Sequence, residues 1–155
     1  MTLKKEPVLV SACLLGEPCR YDGKSKPCEA VIRLEERYAL IPICPEVMGG
    51  LPTPRPPAEL QPDGRVVNCR KSDVTAAYRL GAERSLELGR LHGCRVAILK
   101  EKSPSCGKGQ IYNGRFEGVL CRGDGVCAAL LEQNGIRVLG ESRVSELTAD
   151  TAGGT

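Results

Sequence analysis

The chain has no tryptophan, one phenylalanine and one histidine, His92, among its 155 residues. With Phe116 and four tyrosines as its only rings, it offers little for nucleic-acid bases to stack on. Its net charge of +3 comes from interspersed charges of both signs, without the basic stripe of a nucleic-acid binder. A large nucleic-acid partner is therefore not expected, whereas a small anionic ligand stays open. A lone imidazole also argues against imidazole-ligated zinc. No apolar run approaches the roughly 18 residues of a membrane span, and no membrane partner is expected. The start, MTLKKEPVLVSACLLG, is basic and then apolar, but Pro7 and the YDG turn leave no secretory signal with a small-residue cleavage site. A cytoplasmic chain with reduced thiols is the expectation.

Cysteine, by contrast, is plentiful. Nine in 155 residues still fall short of the roughly 8–10% that marks a disulfide scaffold. In a reducing compartment, clustered cysteines point to metal binding or catalysis rather than bridges.

The length suits one domain, and 41% hydrophobic residues can fill a core. PVLVSAC (7–13) reads as a first central strand, EAVIRLEERY (29–38) as a helix, and ALIPIC (39–44) as a second strand. GGLPTPRPP (49–57) holds four prolines and two glycines and reads as an ordered loop, a wall or lid. Residues 73–92 form the longest helical pattern, closed by Gly93; RVAILK (95–100) is a third strand. Asn113-Gly114 signals a hairpin between IY and RF. GVCAALLEQNG (125–135) is a helix and IRVLGE (136–141) a fourth strand. Alternating strands and helices predict a single α/β domain, a three-layer Rossmann-like sandwich around a mostly parallel sheet of about four strands. Its core spans about 8–141, with residues 149–155 a disordered tail.

Cys13, Cys44 and Cys106 each follow a predicted strand and sit among turn residues, so the three thiols should meet beyond the carboxyl ends of one sheet, where such folds bind ligands. Thiolates from three separate loops favour soft, thiophilic chemistry such as an iron–sulfur site. Three thiolates on a four-iron cluster would leave one iron as an open Lewis-acid position. Cys19 is ambiguous: its C-x5-C spacing from Cys13 is not that of zinc ribbons. Cys94, Cys121 and Cys127 read as small buried hydrophobes, Cys28 and Cys69 as partly exposed bystanders. Glu46 is the carboxylate best placed for proton transfer, against the plainer reading of a capping or solvated acid. Ser103 and Ser105 could bond a substrate, though Ser-Pro-Ser is also ordinary turn chemistry. Arg20, Arg55, Lys100 and Lys102 flank the cysteine motifs and could hold a phosphate, balance an anionic cluster, or be solvated surface.

Taken together, SACLLG…CRYDG, CPE…GGLPTPRPPAE, DVT…GA, ILKEKSPSCG, IYNGRFEG, GDGV and a closing NGI resemble the [4Fe–4S]-dependent thiouracil desulfidase family over about residues 8–141. The resemblance implies a [4Fe–4S] cluster on Cys13, Cys44 and Cys106, with Glu46 and Ser103 as catalytic residues. Its implied reaction is non-redox: a small thiolated pyrimidine, as base, nucleoside or nucleotide, becomes the oxo-pyrimidine and hydrogen sulfide is released. Competing readings are a structural zinc module with Cys19 as fourth ligand, a cluster-bearing sensor without turnover, and a thiol-redox enzyme.

Overall fold

The computed structural model describes the backbone of residues 4–153 and side chains as far as residue 148. Along the chain come β1 (Glu6–Ser11), a 3-10 turn (Ala12–Leu15), α1 (Glu29–Ile32) continued by a second 3-10 turn (Arg33–Glu36), β2 (Tyr38–Ile43) and α2 (Pro45–Met48). A hairpin of β3 (Ala58–Leu60) and β4 (Val66–Asn68) precedes α3 (Thr75–His92) and β5 (Val96–Leu99). A second hairpin, β6 (Gln110–Tyr112) and β7 (Leu120–Arg122), leads to α4 (Val126–Gln133), β8 (Arg137–Gly140), a last 3-10 turn (Glu141–Arg143) and α5 (Val144–Gly153).

Four strands form one parallel sheet in the order β2-β1-β5-β8. Their near-continuous apolar runs suit a sheet covered on both faces. Strand alternation sends Leu9, Ala97, Leu99 and Val138 to one face, against Ala82 and Leu86 of α3 and Ala128 and Leu131 of α4. Val8, Val10, Ile98 and Leu139 point the other way, onto Leu14, Val31, Leu34 and Leu147. This is the expected three-layer α/β sandwich, and all four expected strands are present. Among the described residues no helix is long and apolar enough to cross a membrane.

The differences are local. The helix expected over 29–38 stops at Ile32 and tightens into a 3-10 turn. Val31 and Leu34, three apart, are buried by that tighter turn. Tyr38 reaches the core from β2, where it pairs with Glu6. The Asn113-Gly114 hairpin exists, but Arg115 and Phe116 lie in its 113–119 loop and not in the second strand. The backbone of α5 runs over part of the stretch expected as a tail, and residues 154 and 155 lie outside the described residues.

A glycine pair sets the seat of α2. A Cβ on Gly81 would lie 1.7 Å from the Pro45 carbonyl oxygen, and one on Gly49 would lie 1.9 Å from that of Ala77. Backbone therefore touches backbone where α2 crosses α3. Gly81→Ala is expected to cost about 1–3 kcal/mol or more through overpacking, read as a lower urea midpoint. An unchanged midpoint would mean that α2 does not need this contact.

Candidate functional site

In the sheet, β1 has β2 on one side and β5 on the other, so the order in which strands are added reverses at β1 and opens a crevice at the carboxyl ends. Cys13 lies in the 3-10 turn after β1, and Cys44 directly follows β2 as the extended residue that starts α2. Cys106 lies in the loop after β5. All three, with Cys19, line one cavity of about 450 Å³. The expected convergence at the carboxyl edge is what the fold produces. Cys13 and Cys106 are buried and Cys44 is half-buried.

The Cys106 loop is held from two directions. Ser103 Oγ accepts from the backbone N–H groups of Ser105 and Cys106, both at 3.1 Å. The carbonyl of Ser105 accepts from Cys127 N–H at 2.8 Å, which docks the loop on the start of α4. Gly125 permits this approach, since a Cβ there would meet Ser105 C at 2.5 Å.

Cys19, ambiguous in sequence, is at the site. Its thiol hydrogen-bonds those of Cys13 and Cys44, and its carbonyl oxygen lies 3.7 Å from Cys44 Sγ. The bond with Cys13 pushes the Cys19 thiol up to about 11. The bond to Cys19, then burial, hold Cys44 well above the ordinary thiol range, and burial does the same to Cys106. These sulfurs thus keep their protons at neutral pH until a soft cation displaces them. Among the described residues no three His, Cys, Asp or Glu groups form a site for a single metal ion. The thiols of Cys13, Cys19, Cys44 and Cys106 line one cavity, a soft donor set. Thiol donors around a cavity fit a polynuclear cluster.

Glu46, on α2, lines the same cavity. Its Oε1 accepts from Arg55 Nε at 2.9 Å and its Oε2 from Ser105 Oγ at 2.9 Å. The buried phenol of Tyr78 on α3 interacts electrostatically with it, and burial first, then this carboxylate, keeps that phenol protonated. Ser105 Oγ stands 3.0 Å from Ser103 Oγ. A hydroxyl has one proton, and that of Ser105 goes to Glu46, so Ser103 donates to Ser105. The resulting row runs Ser103 to Ser105 to Glu46. The resemblance singled out Ser103 as catalytic, but the hydroxyl touching the carboxylate is that of Ser105.

The four basic residues are placed less simply than expected. All line the cavity. Arg55 is buried, and besides Glu46 it donates from Nη1 to Pro52 O and Thr53 Oγ1 and from Nη2 to Cys19 O. It ties the proline-rich loop, Glu46 and Cys19 together and has at most one N–H left for an anion. Lys100 Nζ pairs with Glu141 Oε2 at 3.1 Å and donates to Glu101 O. Arg20 Nη2 stands 3.7 Å from Asp22 Oδ2. Lys102 is exposed and has no ion pair among the described residues.

Cys94 and Cys127 are buried as expected, and Cys69 is exposed. Cys121 is not the buried hydrophobe expected. It is exposed on β7, because a two-stranded hairpin leaves one face to solvent. Sequence reasoning missed Tyr78, whose place in the apolar stripe of α3 hid its phenol, and the cavity-lining rings of Tyr21, Tyr112 and Phe116.

The comparisons with known proteins agree with this geometry. A family model described as 2-thiouracil desulfurase matches residues 8–143. "Uncharacterized protein YbbK" of Bacillus subtilis (strain 168) is 40% identical over 149 residues, covering 90% of this chain and 99% of its own length. A solved structure described as the [4Fe-4S]-dependent thiouracil desulfidase TudS superposes with a TM-score of 0.87 at 51% identity, over 96% of this chain and 99% of that one. With the family model matching residues 8–143 and relatives 40% and 51% identical over nearly its whole length, the chain belongs to the 2-thiouracil desulfurase family.

Proposed function

We propose that this protein is an enzyme that converts a thiolated pyrimidine to its oxo counterpart, using a [4Fe–4S] cluster on Cys13, Cys44 and Cys106. The observation that carries the proposal is one cavity lined by those three cysteines and by a half-buried, hydrogen-bonded carboxylate, Glu46. The 51% identical structure, described as a [4Fe-4S]-dependent thiouracil desulfidase, supports it. When bound, a cluster on three protein thiolates supplies a soft Lewis acid suited to polarising a C=S bond.

The remaining work falls to the chain. Glu46 accepts the proton of a water that adds to the ring carbon, at Oε2, where the bond to Ser105 is the one that can rearrange. Arg55 holds the carboxylate while it does so. Ser105 and Ser103 then offer a path for that proton toward the departing sulfur. The balance is thione plus water giving carbonyl plus hydrogen sulfide, with no net redox change.

The test is anaerobic purification, iron and sulfide analysis, and incubation with 2- and 4-thiouracil, thiouridine and its monophosphate. The matching oxo-pyrimidine and sulfide should appear in equal amounts, and chelation of iron should stop both. A fully loaded protein that releases no sulfide from any of the four would point instead to a sensor. Since Arg55 and Lys100 are committed to Glu46 and Glu141, a preference for the monophosphate would rest on Arg20 and Lys102.

A further inference from the structure

The chain is poor in aromatic residues, yet four of its five rings, Tyr21, Tyr78, Tyr112 and Phe116, line this one cavity. They differ in depth. Tyr78 is 2% exposed, whereas Tyr21 and Phe116 are each 41% exposed. Single exposed rings are ordinary on a protein surface, but these two border the same cavity.

The exposure of Phe116 is built in. Its backbone has φ +54, in the left-handed region that a bulky residue seldom adopts. Glu59, on β3, holds it there: Oε1 accepts from Gly114 N–H at 2.9 Å and from Phe116 N–H at 3.2 Å. Gln61 Nε2 donates to Gly114 O at 3.0 Å from the same segment. One hairpin thus clamps the tip of the other so that its ring is kept at the cavity wall. On the Cys19 side, the backbone N–H of Arg55 donates to Tyr21 O at 2.8 Å and fixes the main chain that carries the second exposed ring.

We propose that Phe116 is a specificity-determining residue that stacks on the face of a planar, conjugated heterocyclic thione, with Tyr21 as the second aromatic group at the site. A thiopyrimidine has π faces, and its polar groups lie on its edge. Aromatic side chains meet such faces in offset stacks. An open-chain thioamide or thiourea has the C=S group and no ring face, so the site favours cyclic substrates. The proposal rests on the desulfidase reading for its choice of ligand.

The test uses the cluster-loaded protein, kept anaerobic, with two readouts: sulfide release from 4-thiouracil, and calorimetric binding of uracil. Phe116→Ala should raise KM for 4-thiouracil and weaken uracil binding by roughly tenfold each, the low-to-middle range for loss of one base–aromatic stack, with kcat within about twofold. Phe116→Tyr, which keeps the ring, should restore both. Val119→Ala, in the same loop at a residue 50% exposed and outside the cavity lining, should match the wild type. Unchanged KM and uracil affinity in Phe116→Ala would overturn the proposal, as would a fall in kcat alone. If the wild type releases no sulfide, the functional reading fails, and uracil binding still decides the stacking.

Discussion

Alanine at Cys13, Cys44 or Cys106 is expected to strip the anaerobically purified chain of its bound iron, and with it all desulfuration. Each thiol comes from a different carboxyl-end segment, after β1, β2 or β5. No neighbouring ligand on the same loop can therefore take over when one is lost, except where Cys19 stands in contact with Cys13 and Cys44. Two thiolates do not hold a four-iron cluster against solvent and oxygen. The fold itself should survive, since losing one buried sulfur resembles a single-methylene deletion, about 1 kcal/mol. Cys94→Ala and Cys127→Ala should show only that stability cost and keep their iron. Cys19→Ala gives the sharpest contrast: on the three-ligand reading it retains iron, whereas Cys106→Ala does not. Iron analysis and the visible spectrum read all of this, and a Cys106→Ala protein with a full cluster would remove that residue from the ligand set.

Much of this site was legible because it depends on features that sequence states directly. Apolar β-branched runs mark the buried parallel strands, and a cysteine just past each of three runs lands at one edge whatever the loops do between them. What was hidden depended on pairings between distant segments. Nothing in PRP announces that Arg55 will turn inward to Glu46 and Cys19, because a lone arginine between prolines reads as surface until the loop's path is known. Ser103 and Ser105 are two residues apart in a turn, and only the three-dimensional path of the loop decides which hydroxyl faces Glu46. Tyr78 sat correctly on the buried stripe of α3, but periodicity reports the side of a helix and not where a phenol ends. The small hairpins β3–β4 and β6–β7 have three-residue strands, too short for alternation to register, and β6–β7 carries Tyr112 and Phe116, two of the rings that line the cavity.

The hydrogen-bond row at Glu46 makes Glu46→Gln the most informative change short of removing a ligand. Glutamine matches the carboxylate in size but has one acceptor oxygen and one donor NH2. Its oxygen can keep the bond from Arg55 Nε, which is fixed in direction by the bonds of Nη1 and Nη2. The NH2 then faces Ser105, and the Ser105 hydroxyl must turn to accept it. That reverses the row from Ser103, whose proton now meets a donor. Arg55 is also left without its counter-charge in a mostly buried place, for a cost of about 1–3 kcal/mol that its carbonyl partners limit. The protein should fold and load iron normally, because none of the thiols is touched. Turnover should fall by about 10²-fold or more, the usual contribution of a positioned general base. Sulfide release from 4-thiouracil, normalised to iron content, is the measurement. A rate within about threefold of the wild type, well short of a general-base loss, would make Glu46 the anchor of Arg55 and nothing more.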